Sequence, residues 1–178
     1  MKRSILLSLL TLTVLLAIVS LHSPVAAHGD ELYLKVILVT GESSRDSNST
    51  TRTLTVSADS LTYQETYQGA GASRRTPVKK QFKLTDQDRT DLIGLLKAKA
   101  LLTDSTLSKP PTKDTNRYFQ ISITSTLNGR EHQVSIEATP TSNLKDEPVY
   151  QNAISLIARL YSIINKTDPE IRIPTFTD

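Results

Sequence analysis

The chain has 178 residues, with 21 Lys plus Arg against 18 Asp plus Glu, no Cys, no Trp and three His. Without cysteine there is no disulfide framework, thiol nucleophile, iron–sulfur site, zinc ribbon or lipidated cysteine, and three histidines leave almost no room for a multi-histidine metal cage. At 38% hydrophobic and 22% charged, the composition is ordinary globular material for about one domain, neither collagen-like nor plainly disordered.

The first 27 residues read as an address. Lys2 and Arg3 precede an uncharged, mostly apolar run from Ile5 to Leu21. His22-Ser23-Pro24 breaks the run, and Val25-Ala26-Ala27 places small residues where a signal peptidase needs them. A signal peptide over 1–27, cut after Ala27, makes the protein exported, either periplasmic or extracellular. A retained anchor is the competing reading, but the run falls short of the ~20 residues that span a bilayer comfortably. No later segment approaches that length, so no integral membrane segment is expected after cleavage. Cleavage also removes Lys2 and Arg3, so 21 cations become 19 against 18 acids. The whole-chain pI of about 9.1 then owes much to a discarded segment. A near-neutral body carries no electrostatic footprint for nucleic acid, and none is expected as a partner.

From Leu32 to Val39 a nearly continuous apolar, β-branched run predicts a central strand covered on both faces or nearly so, stopped by Gly41. Residues 42–51 have loop composition. Leu54, Val56 and Ala58 then alternate on one face, and from Leu61 the parity reverses to Leu61, Tyr63 and Tyr67. Because a one-residue slip turns every side chain over, Asp59-Ser60 must be a turn or a bulge, and a turn is favoured. After a second loop through Gly69-Ala70-Gly71-Ala72, Val78 to Leu84 makes another strand with Val78, Phe82 and Leu84, and the stem of Lys80, on one side.

Thr85 followed by Asp86 and Asp88 signals a helix start with a capping residue and acids in the first turn. Leu92, Ile93, Leu95 and Leu96 carry the helix to about Ala100, and Gly94 within it is read as a mark of close packing. Residues 104–116 contain Pro110-Pro111 and no periodicity, which predicts a long loop. The firmest local signal follows: Tyr118 to Leu127, then Asn128-Gly129, then Arg130 to Ala138 is a hairpin with a two-residue type I′ turn. Such a turn pairs residues whose numbers sum to 257, placing Ile123 with Val134, Ile121 with Ile136 and Phe119 with Ala138 on a dry face. Thr124 with Gln133, Ser122 with Ser135 and Gln120 with Glu137 fall on a wet one. Asp146-Glu147-Pro148 opens a last helix, whose Asn152, Ser155, Arg159 and Ser162 form one wet stripe. Residues 167–178 are expected to be a flexible tail.

This order predicts an α+β fold: a mostly antiparallel sheet of about five to six strands with two helices packed on one face, in a single domain over 28–166. The run Thr53-Leu-Thr-Val with Leu61-Thr-Tyr, then Phe82-Lys-Leu-Thr before a Leu-rich helix, then an Asn-Gly-Arg hairpin and a closing helix, resembles small exported bacterial domains of unknown function. It is also loosely similar to emfourin-type inhibitors of metallopeptidases. The resemblance is one of layout over most of the expected mature chain; it implies the fold and the export and carries no functional residue across.

The chain contains no Gly-x-Ser-x-Gly elbow, His-Glu-x-x-His pair, phosphate loop, dinucleotide fingerprint or EF-hand loop. A Ser-His-Asp arrangement would have to use His132, the one histidine inside the folded region. The hairpin register puts it opposite Ser125, where a half-buried side chain at the end of a sheet face is the plain reading. The acid pairs at helix starts are explained by the helix dipole. Two features point outward. Arg74, Arg75, Lys79 and Lys80 form a basic cluster suited to an anionic partner, with a solvated loop as the bland alternative. Tyr118 lies on the wet sheet face with Gln120, Thr124 and Gln133, a flat polar surface that suits a protein partner better than a small molecule. Cleavage after Ala27 would expose His28, whose amine and imidazole can chelate Cu(II) with His132 as the second ligand. The resulting expectation is an exported, soluble, non-enzymatic binding or inhibitor-like module without cofactor, with a copper-binding protein using His28 and His132 as the alternative.

Overall fold

A computed structural model of the protein describes residues 31–42, 48–113, 115–144 and 146–176. The expected signal peptide and His28 lie outside them. Among the described residues the chain forms strands β1 (Leu32–Glu42), β2 (Ser49–Ser57), β3 (Ser60–Gln68) and β4 (Val78–Lys83), helix α1 (Asp86–Ala98), strands β5 (Ser105–Ser108), β6 (Arg117–Leu127) and β7 (Arg130–Ala138), and helix α2 (Pro148–Asn165). The strands lie in one seven-stranded sheet in the order β4-β3-β2-β1-β6-β7-β5. All neighbours are antiparallel except β5, which runs parallel to β7.

The fold is therefore α+β, with seven strands where five to six were expected, and the sheet is mixed because β5 alone runs parallel to its neighbour. The added strand is β5, inside the segment expected to be a loop. Its Ser-Thr-Leu-Ser sequence has no apolar period, and only Leu107 packs against the core. Long-range bonds hold it beside β7: Asp104 Oδ1 accepts from the Gln133 amide at 2.7 Å, and the Lys109 amide donates to the Glu137 carbonyl at 3.0 Å. No local pattern encodes such pairing.

The β6–β7 hairpin keeps its expected register in every pair, from Phe119 with Ala138 to Leu127 with Arg130. Asn128 and Gly129 take φ of 52° and 78°, the left-handed pair that a type I′ turn requires. The Asn128 side chain also accepts a bond from the Glu31 amide at 3.0 Å, fastening the start of β1 to this turn. The parity reversal between β2 and β3 is a turn, as favoured, but at Ala58-Asp59. Ala58 leaves the strand with φ 50° and becomes exposed instead of joining the dry face.

β1 is central, between β2 and β6, yet only one of its faces is covered. Leu34, Val36 and Leu38 have no exposure, while Lys35, Ile37 and Val39 are partly exposed and Tyr33 is 39% exposed. The apolar run thus overstates the cover: β-branched residues also suit an uncovered sheet face. Nor does Gly41 stop the strand, which runs on to Glu42.

Both helices join the core of that one covered face. α1 begins with a full capping box: the Asp88 amide donates to Thr85 Oγ1 at 3.1 Å, and Asp88 Oδ2 accepts from the Thr85 amide at 3.3 Å. Leu92 and Leu96 point inward. Gly94, however, is exposed, and an added Cβ would meet nothing within 4 Å, so close packing does not account for it. α2 spreads across the sheet, with Tyr150 against Phe119 of β6 and Tyr161 edge-on to Tyr63 of β3, ring centroids 6.2 Å apart in each case. Asp88, 2% exposed, accepts from Arg159 at 2.9 Å and Lys166 at 2.7 Å and so ties the start of α1 to the far half of α2. Burial raises the Asp88 carboxyl, but the Lys166 and Thr85 bonds outweigh it and hold the group below the usual range. The segment after α2, expected to be a loose tail, forms no strand among its described residues and buries Ile171 and Phe176, the latter 5.2 Å from the Phe119 ring centre. No helix among the described residues is long and apolar enough to cross a membrane.

Candidate functional site

Alternation along each strand leaves one face of the sheet to the helices and the other open, and the strands bring their ends together in a fixed set. Where β1, β3 and β7 end and β2 and β6 begin, a cleft of about 410 Å³ opens. Its lining includes Gly41, Glu42, Tyr67, Arg75, Arg117 and Tyr118, with Phe119, Pro140 and Phe176 as its apolar wall.

Tyr118 is held there by what lies opposite. In the β1–β6 register it faces Gly41, and a Cβ on Gly41 would sit 2.8 to 2.9 Å from the Tyr118 ring and hydroxyl. The missing side chain is thus the space the tyrosine fills, a close approach that only glycine permits. Phe119, the next residue, points the other way into the core between Tyr150 and Phe176.

Arg75 reaches the cleft by a different route. A single turn of 3-10 helix, Ala72–Arg74, follows Gly71, whose amide donates to Asn48 Oδ1 at 3.1 Å. This pins the loop to the start of β2 and sets the Arg75 guanidinium 5.1 Å above the centre of the Tyr67 ring, a cation–π stack. The Tyr67 hydroxyl donates to Glu65 Oε1 at 2.8 Å; Glu65 also accepts from the Tyr63 hydroxyl and pairs with Arg52 Nε at 3.3 Å. Burial pushes Glu65 up, but the two tyrosine bonds and the Arg52 charge prevail and keep its carboxyl below the usual range. Burial, followed by the bond to that carboxylate, raises Tyr63 and Tyr67 in turn. Behind them Tyr161 is fully buried and pushed up to about 12 by desolvation; its hydroxyl has no hydrogen-bond partner among the described residues. The cleft wall therefore rests on a chain of fixed groups: Arg52, Glu65, Tyr67, Arg75.

Of the residues singled out from the sequence, Arg75 and Tyr118 meet at this cleft. Arg74 is exposed on the 3-10 turn. Lys79 and Lys80 are neighbours on β4, so strand alternation sends them to opposite faces, and Lys80 is paired with Asp168 on the helix side. Sequence proximity made these four cations look like one patch; the pleat divides them. Missed were Tyr67, Arg117, Glu42 and Phe176. Arg117 adjoins Tyr118 and was within reach of inspection, whereas the Arg75–Tyr67 stack depends on a loop folding back and has no sequence signal.

His132 stands opposite Ser125 as the register requires, half-buried at the other end of β7 from the cleft. Its Nδ1 lies 3.8 Å from Asp104 Oδ1, and Ser125 is buried with its hydroxyl on the Leu101 carbonyl at 3.3 Å. The described residues contain no group of three or more His, Cys, Asp or Glu able to hold a metal ion, and His28 lies outside them. Among the described residues lining the cleft there is one carboxylate, Glu42, and no histidine, so no nucleophile is paired with an imidazole base there. The cleft can offer aromatic faces, guanidinium donors and a solvated polar rim. Compared with family models and with curated proteins, the chain matches none of them.

Proposed function

We propose that this protein is an exported, non-enzymatic binding module of inhibitor-like character, and that it contacts its partner through the sheet end around the cleft. The observation that carries this reading is the coincidence, at one rim, of Arg75 stacked on Tyr67, Arg117, and Tyr118 seated on Gly41. Tyrosine and arginine are enriched among the residues that dominate binding energy at protein interfaces. The Lys2–Ala27 layout supports export, and the similarity of layout to metallopeptidase inhibitors supports a partner that is itself a protein.

A photo-crosslinking amino acid at position 118 tests it, with one at Tyr33 as the control. Both positions lie on the open side of the sheet, on adjacent strands and at opposite ends. In the protein's native surroundings, a discrete adduct is expected from position 118 and not from 33. No adduct, or equal adducts from both, overturns the proposal.

A further inference from the structure

We infer that the cleft takes a ligand with a carboxylate at one end and an apolar body at the other, the form presented by the C-terminal residue of a peptide chain. The inference rests on the binding-module reading and names the chemistry of the group that enters.

The shape comes first. About 410 Å³ lies within the range of pockets that receive small ligands and holds one or two residues rather than a folded surface. The lining combines apolar residues, Pro140 with the core residues Phe119 and Phe176, with the cations Arg75 and Arg117. An arginine stacked on an aromatic ring has its plane fixed and keeps its edge donors available, and that fork matches the two oxygens of a carboxylate. The Arg75 guanidinium lies over the Tyr67 ring, 5.1 Å from its centre, and that ring is itself anchored through Glu65.

Charge narrows the ligand further. Glu42 also lines the cleft and is the cross-strand neighbour of Arg117. One anion already in the wall favours a singly charged carboxylate over a doubly charged phosphate, since like charges at such range repel. Capture of a terminal carboxylate by fixed donors beside an apolar pocket is an established mode of peptide recognition. A free apolar acid shares the same chemistry, and the experiment separates the two sources.

Amide-resolved NMR titration of the purified protein with N-acetyl-Ala-Ala-Phe acid, its carboxamide and 3-phenylpropionate, at constant ionic strength, supplies the test. The acid peptide is expected to give saturable shifts centred on Gly41, Gly71 and Ala72, with the carboxamide about tenfold weaker or more. Arg75→Lys should weaken the acid several-fold by removing the planar fork, and Arg75→Ala should weaken it further. Lys79→Ala, on β4 and outside the cleft lining, should bind within about twofold of the parent. Weaker binding of 3-phenylpropionate than of the peptide assigns the site to peptide termini; equal or tighter binding assigns it to free acids, and both keep the carboxylate. Equal affinity for acid and carboxamide, unchanged affinity in Arg75→Ala, or no saturable shift overturns the inference. Those failures leave an adduct at position 118 untouched, whereas loss of that adduct fails the binding-module reading itself.

Discussion

On the helix side of the sheet, the row Tyr63–Leu54–Val36–Ile123–Val134 is buried throughout, none of it more than 2% exposed. One step along the same strands, the row Gln64–Thr53–Ile37–Ser122–Ser135 faces open space. Backbone and pairing are shared, so the difference lies in what each face does for the molecule. The covered row sets the register, since a slip of one residue would expose all of it. The open row contributes only cross-strand pairs, of roughly 0.2–1 kcal/mol each, and is under no comparable packing demand. The clamped acids Asp88 and Glu65 stand on the helix side too, at the margins of the core, where desolvation makes pairing consequential.

The comparison breaks most directly by truncation. Ile121→Ala or Ile136→Ala should cost about 2–5 kcal/mol, while Ser122→Ala or Ser135→Ala should stay within about 0.5 kcal/mol. Denaturant melts measure both, and equal losses on the two faces would refute a one-sided sheet. Asp88→Ala, which strips a buried acceptor from Arg159, Lys166 and the Thr85 cap, is expected to cost about 1–3 kcal/mol in the same melts. Asp91→Ala removes the other Arg159 partner from a carboxylate that is 40% exposed and should cost under about 0.5 kcal/mol.

The acids also sharpen the contrast through pH. Asp88 and Glu65 are held below their ordinary values of 3.8 and 4.5. The unfolded chain therefore takes up protons first as pH falls. Their contribution is complete at neutral pH and drains as pH drops through those values toward the lower folded ones. Thermal melts from pH 7 to 3 should show this acid limb, and Asp88→Asn with Glu65→Gln should flatten it. An unchanged slope in the double variant would mean that other groups carry it.

Two glycines should give effects of opposite sign. Gly94→Ala, with open space around the new methyl group, should stabilise by about 1 kcal/mol because alanine is the better helix former. Gly41→Ala should destabilise by forcing the Tyr118 ring off the strand, with the displacement visible in the tyrosine ring resonances. Stabilisation by both substitutions would mean that the Tyr118 seat imposes no constraint.

Periodicity and turn chemistry were sufficient for much of the fold. The Asn128-Gly129 hairpin and its register, the Thr85 cap, and the apolar faces of both helices are written in residues at most a few positions apart, where local geometry decides. The wet stripe of α2 is legible in part: Ser162 is exposed and Asn152 and Ser155 are half-exposed, whereas Arg159 turns to the acids of α1. What the tertiary structure alone decided depends on partners distant in the chain. β5 is a strand because β7 offers it an edge, and Gly41 lies within a strand because Tyr118 covers it. Arg75 and Tyr118, 43 positions apart, meet because the strands end at one rim. The pattern of a sequence reports which face of each element seeks cover; it carries no record of which remote residue supplies that cover, and the cleft is made of such remote pairs.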